Sequence, residues 1–319
     1  MKFYTVFLLA VLLNCSLSGS GKYGGEFMSG STEARSLSLG GMILTSFETP
    51  AAVYFNPSYL PEMKNSGILL SHSERFDGAV RQEFAAFNTR YSGVDAGLAL
   101  IWINVDGIVL TRLENENDPV GPDNRILPDR TVSDNEFAFF ISAGKKYNDR
   151  INMGASVKLL YKSLDIESAF GTGFDLSGYY KISDNISAGA KISDITTSAL
   201  FWTTGKNEII RPSINIGAEY NNRIEYFLAD YKLIGGTLIR SENYSENAFL
   251  SGGIFDAVIS GGIEVAFNSV MIRGGYNTDN TWSAGAGVSF LSFILDYSFR
   301  PDFEDLGNTH KASISYIWK

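Results

Sequence analysis

The stretch RINMGASVKLLYK, Arg150 to Lys162, decides how the rest of the chain is read. Ile151, Met153, Ala155, Val157, Leu159 and Tyr161 share one parity, while Asn152, Gly154, Ser156, Lys158 and Lys162 share the other, with Leu160 an apolar intruder among them. Side chains that alternate with a period of two belong to a β-strand. A protein core and a lipid tail would select the same greasy face, so this run alone leaves open what that face touches.

The pattern recurs. In HKASISYIW (310–318) Ala312, Ile314, Tyr316 and Trp318 oppose Lys311, Ser313 and Ser315; in FILDYSF (293–299) Phe293, Leu295, Tyr297 and Phe299 oppose Asp296 and Ser298. Alternating runs fall near 66–74, 83–92, 94–103, 136–147, 150–163, 169–182, 186–195, 211–221, 224–234, 257–267, 269–277, 281–290, 291–300 and 309–318. That is about fourteen strands, an even number of the kind used by bacterial outer-membrane barrels. The turns at 147–150, 183–185 and 221–223 are short and rich in Asn and Asp, whereas 104–135, 196–210, 235–256 and 301–308 read as long polar loops.

Three features favour lipid over a soluble sandwich core. Many runs reach the roughly 9–11 residues that cross a bilayer at a tilt. Aromatics such as Tyr147, Tyr161, Tyr220, Tyr276, Phe299, Tyr316 and Trp318 gather near strand ends, as interfacial girdles do. The polar parity carries Gly154, Gly189, Gly217 and Gly275, room that a lumen with something lodged inside requires. Unpaired backbone in hydrocarbon is costly, so the run at 309–318 should close on that at 66–74.

The chain has 319 residues, 45% hydrophobic, and a formal charge of −9, which disfavours nucleic acid as a partner. Lys2, the apolar run Phe3 to Leu13 and NCSLSGSG read as an export signal over residues 1–20. Cys15 is the lone cysteine, so no disulfide or Cys-based metal site is expected; LLNC leaves acylation of Cys15 open beside plain cleavage. Beyond the signal no segment has the roughly 18 uninterrupted apolar residues of a membrane helix. Residues 21–64 lack alternation and are too apolar at Ile43, Phe47, Val53 and Phe55 to stay in water, so they read as an irregular segment buried inside the barrel formed by 65–319. Pro57 suits the first position of a helical turn there.

The block EARSLSLGGMILTSFETPAAVYFNPSYL, through Ala34, Arg35, Gly40, Gly41, Asn56, Pro57 and Leu60, resembles the hatch region of the PorV/PorQ family of outer-membrane proteins, itself similar to FadL-type transporters. DLGNTHKASISYIWK (305–319) resembles the last loop and closing strand of those barrels. The resemblance implies an all-β, fourteen-stranded transmembrane antiparallel barrel with its N-terminal segment as a plug in the lumen.

Lys158, Lys162, Lys191, Glu219, Asp230, Lys232, Glu264, Arg273 and Asp296 take the lumen parity, where they serve mutual neutralisation and plug anchoring, or a selectivity lining. His72 and His310 fall on the first and last strands, made neighbours by closure, with an interfacial structural role. No catalytic, metal or phosphate-binding motif stands out, so neither enzyme activity nor a cofactor is expected. The leading expectation is a plugged channel for hydrophobic small molecules. A PorV-like scaffold for type IX secretion and surface attachment, with secretion-system partners, and a soluble exported β-rich binding protein stand as alternatives. Outer-membrane lipid and the barrel assembly machinery are the other expected partners.

Overall fold

The computed structural model describes residues 25–28, 30–240, 250–252, 255–279, 281–301 and 307–319. The export signal and Cys15 lie outside them. Among the described residues seventeen strands form one antiparallel sheet: β1 (Ser66–Arg75), β2 (Val80–Tyr91), β3 (Val94–Leu113), β4 (Ile126–Lys146), β5 (Ile151–Leu164), β6 (Glu167–Lys181), β7 (Ile186–Ser193), β8 (Ser198–Trp202), β9 (Asn207–Ile210), β10 (Ser213–Ile224), β11 (Ala229–Arg240), β12 (Leu250–Gly252), β13 (Phe255–Phe267), β14 (Val270–Asn277), β15 (Thr281–Phe290), β16 (Phe293–Arg300) and β17 (Thr309–Trp318). β1 pairs with both β2 and β17, with Leu70 opposite Ile314, so the sheet closes. Fourteen strands make the ring; β8 and β9 form a hairpin that leaves it, and β12 lies along β13.

The two parities have opposite surroundings. Outward residues such as Leu159, Ile272, Leu295 and Ile314 are exposed, while Lys158, Glu264, Arg273 and Asp296 on the inward parity are at most 5% exposed. A soluble protein has the reverse arrangement. Ten residues of β17, tilted about 40°, rise about 25 Å, the height of an outer-membrane apolar band. Near the loop end, Trp102, Phe137, Tyr161 and Phe170 form a continuous ring-to-ring chain across β3 to β6; near the turn end, Phe293, Tyr316, Trp318 and Phe87 form another. Leu160 has the inward parity and is buried in the core cluster, which explains the intruder.

Each expected strand has its counterpart, but several connections differ. Asn221 to Arg223 lie within β10, and the turn falls at 225–228 with Leu228 at φ 50°. The polar rim of a strand in water resembles a turn in composition, although its ladder continues. For the same reason β3 and β4 extend into 104–135 as a hairpin, with register shifts between Val105 and Ile108 and between Leu110 and Thr111. The 196–210 segment contains β8 and β9, and β11 runs on to Arg240. Much of 241–254 and 302–306 lies outside the described residues.

Residues 30–64 fold as short pieces: a helix at Ala34–Ser38, a helical turn at Ala52–Phe55 and a 3-10 segment at Pro57–Glu62. They meet inward-facing glycines around the ring, Gly97 of β3 against Val53, Gly144 of β4 against Pro57, Gly189 of β7 against Leu44, Gly262 of β13 against Leu39 and Gly285 of β15 against Ser38. At Gly189 a Cβ would sit 2.5 Å from the Leu44 carbonyl oxygen. Ile43, Phe47, Val53, Tyr54 and Phe55 share a core with Phe84, Ile101, Phe140 and Leu160; one group of buried charged contacts lies on the far arc, on β11 to β16, and another borders this core on β4 to β7.

Candidate functional site

The geometry around Arg35 begins with its helix. Glu33 accepts from the backbone N–H groups of Arg35 and Ser36 at 2.8 and 2.7 Å, which caps the helix and fixes its start. Burial pushes the Glu33 carboxyl above the usual range, with Asp296 adding to the effect, while Arg35 and the capping hydrogen bonds oppose it. Arg35 then reaches Glu264 on β13 through Nε at 2.8 Å and Nη2 at 3.1 Å, a bidentate pair, and donates through Nη1 to the Ser46 carbonyl at 3.0 Å. Glu264 also receives Arg273 of β14 at 2.5 Å and Lys232 of β11 at 3.2 Å. Arg273 continues to Asp296 of β16 at 2.5 Å, and Lys232 to Glu48 at 2.7 Å. Three cations and three carboxylates thus form a self-neutral chain between the N-terminal segment and four strands, the condition under which buried charge is tolerated.

A second cluster lies where β6 exchanges one neighbour for another. Its residues 176–181 pair with β7 and residues 169–172 with β8. Between them, Lys158 meets Asp175 at 3.0 Å and Asp194 at 2.8 Å, and Lys191 meets Asp175 at 3.1 Å. Lys191 also donates to the Tyr54 carbonyl at 2.6 Å and lies 4.9 Å from the Tyr54 ring centroid. This cluster too is neutral. Lys162 pairs with Glu136 at 2.5 Å.

The other residues singled out from sequence are placed as follows. The Ala34 N–H donates to Ser313 Oγ at 2.9 Å. Gly40 and Gly41 have φ of 85° and 93°, and a Cβ on Gly40 would lie 2.8 Å from the Tyr276 carbonyl oxygen, so glycine here fixes a tight turn against the wall. Asn56 donates to the Leu44 carbonyl at 2.6 Å and accepts from the Ser58 N–H at 3.2 Å; Pro57 opens the 3-10 segment and Leu60 is buried. Glu219 is buried, with Thr45 Oγ1 at 3.5 Å.

Asp230 has the lumen parity but not the position. It lies one residue into β11, its side chain 61% exposed beside Arg223 at 3.9 Å, because parity says nothing of depth. His72 and His310 lie on adjacent strands but bond elsewhere, His72 Nδ1 to Glu83 Oε1 at 2.6 Å and His310 Nδ1 to the Tyr297 hydroxyl at 2.7 Å. Sequence reasoning passed over Asp175, Asp194 and Glu48. Asp175 was findable, since it shares the parity of Gly171 and Gly173; Asp194 was not, since it follows the end of β7 at φ 57°.

Between the N-terminal segment and the wall lies a cavity of about 150 Å³. Met28, Leu44, Tyr54, Phe55, Phe140 and Leu238 give it an apolar side, and the Lys158 cluster with Arg211 and Arg240 gives it a polar one. A cavity of about this volume has room for a benzene-sized molecule. Among the described residues no cluster of three or more His, Cys, Asp or Glu side chains could hold a metal ion.

A closed ring with an apolar exterior and aromatic girdles is an integral membrane β-barrel, and the chain resides in the bacterial outer membrane. Solved structures share this fold. The toluene transporter TodX of Pseudomonas putida matches with TM-score 0.58 and 14% identity, over 90% of this chain and 98% of that one. The toluene transporter TbuX of Ralstonia pickettii gives 0.56 and 14%, over 91% and 99%. A FadL homologue of Pseudomonas aeruginosa gives 0.52 and 10%, over 90% and 98%. No protein-family model and no curated protein sequence matches the chain.

Proposed function

We propose that the protein is a FadL-like channel for uptake of hydrophobic small molecules, with residues 25–64 as the plug of its lumen. The observation that carries this reading is the cavity between plug and wall, whose apolar side is built from both and whose volume suits a single aromatic ring. Two of the structures that share the fold are toluene transporters. In this reading the ionic chain through Arg35 anchors the plug to the wall, and movement of the plug enlarges the cavity.

A PorV-like scaffold for secreted cargo calls for a lumen sealed by ionic contacts alone, and a cavity with an apolar side next to the Lys158 cluster favours transport instead. The test is uptake of labelled toluene and fatty acids into liposomes carrying the protein, compared with a deletion of residues 24–62. Uptake above that of empty liposomes, with a rate altered by the deletion, supports the channel. Uptake no faster than through empty liposomes overturns it, and equal rates for the two proteins remove the gating role of the plug.

A further inference from the structure

The polar side of the cavity between plug and wall combines engaged charges with unengaged neutral groups. Lys158 and Lys191 pair with Asp175 and Asp194, two cations with two carboxylates. Arg240 is held by Asp256 at 3.3 Å, and Arg211 has a partner of its own. Three neutral side chains of the same lining differ. Ser193 of β7 and Ser213 and Asn215 of β10 have the lumen parity and are half-buried, and among the described residues their side chains have no hydrogen-bond partner.

The register places these three at the seam between the two sides of the cavity. Ser213 lies opposite Ser193 across the β7 and β10 pair, and Asn215 lies between Lys191 of β7 and Leu238 of β11. Leu238 belongs to the apolar side, as do Tyr54 and Phe140. A hydrocarbon that fills the cavity takes water from an amide and two hydroxyls and returns no hydrogen bond, which opposes its binding. A carboxylate restores those bonds but brings a net charge beside a cluster that is already neutral, with Asp175 and Asp194 repelling it. A neutral hydroxyl can donate to the Asn215 side-chain oxygen and accept from a serine hydroxyl, and it leaves its ring to the apolar side.

We propose that the ligand class of this cavity is a neutral single-ring aromatic bearing one hydroxyl, a phenol or a benzyl alcohol, with Asn215, Ser193 and Ser213 bonding the hydroxyl and the apolar side holding the ring. This assignment, which rests on the protein being a channel for hydrophobic molecules, narrows its cargo to hydroxylated aromatics over plain hydrocarbons.

The test is calorimetric titration of the detergent-purified full-length protein with p-cresol, toluene and benzoate at neutral pH, alongside uptake of labelled toluene and p-cresol into liposomes. p-Cresol differs from toluene by one hydroxyl and should bind about ten- to a hundredfold more tightly, with benzoate weaker than p-cresol. Partitioning into the micelle favours toluene, so detergent does not produce this preference. In Asn215→Leu the ratio of the p-cresol and toluene affinities should fall toward one, and Ser213→Ala, which removes a single hydroxyl, should lower it in the same direction. Toluene bound as tightly as p-cresol, benzoate bound most tightly, no saturable binding of any of the three, or a ratio unchanged in both variants overturns the assignment. Each of these results leaves the channel standing where the liposomes still take up toluene. Preferential binding of p-cresol without uptake of either compound supports the site and overturns the channel.

Discussion

Arg35 ties the N-terminal segment to the wall through the bidentate pair on Glu264. Arg35→Ala leaves Glu264 compensated by Arg273 and Lys232 and should weaken the attachment of the N-terminal segment by about 1.5–3 kcal/mol, the range for lost hydrogen bonds to a charged group. Protease protection of residues 30–64 in the folded barrel measures this. Glu48 is the weaker link. Burial alone would raise its carboxyl, but the Lys232 ammonium, with Arg35 behind it, holds it below the usual carboxylate range. A depressed acid contributes stability above its unfolded value and loses it as pH falls through the folded one. Plug protection should therefore decline on acidification below the ordinary carboxylate range, and Glu48→Gln should flatten that decline. With its side chain 51% exposed, solvent screening limits the pair to below about 1 kcal/mol.

The strands explain which parts of the chain were legible from sequence. Inside the bilayer an outward residue must be apolar and an inward one must fit the plug, so Ile151 to Lys162 reads cleanly and the run of 309–318 matches β17 residue for residue. Beyond the bilayer both faces meet water and only backbone pairing persists. That is why Asn221 to Arg223 passed for a turn and the outer halves of β3 and β4 for a loop. The inward charges were legible by parity, but their partners and depth were not, as Asp194 and Asp230 show. The glycines allow a comparison of adjacent positions. On β14 a Cβ at Gly275 collides with the backbone of Leu39 and Gly40, whereas one at Gly274 meets nothing within 4 Å. Gly275→Ala should cost about 1–3 kcal/mol of overpacking and expose residues 30–64 to protease, while Gly274→Ala should leave digestion unchanged.

At the scale of the molecule, the fold is a barrel whose polar groups face inward and whose apolar residues face out, with a third layer, the N-terminal segment, filling the interior. The apolar core of the lumen lies against β1 to β6, and buried charges flank it in two groups, one on β4 to β7 and one on β11 to β16. All of this depends on the outward parity being solvated by acyl chains. The most direct measurement uses single fluorophores at Ile272→Cys, Leu295→Cys and Ile314→Cys, each in a chain whose Cys15 is serine, reconstituted in lipid brominated on its tails, with Val120→Cys beyond the rim as the reference. Quenching by the brominated tails at the three strand positions and by aqueous acrylamide at Val120→Cys is the predicted result; acrylamide quenching at all four, with no effect of the brominated tails, would contradict it.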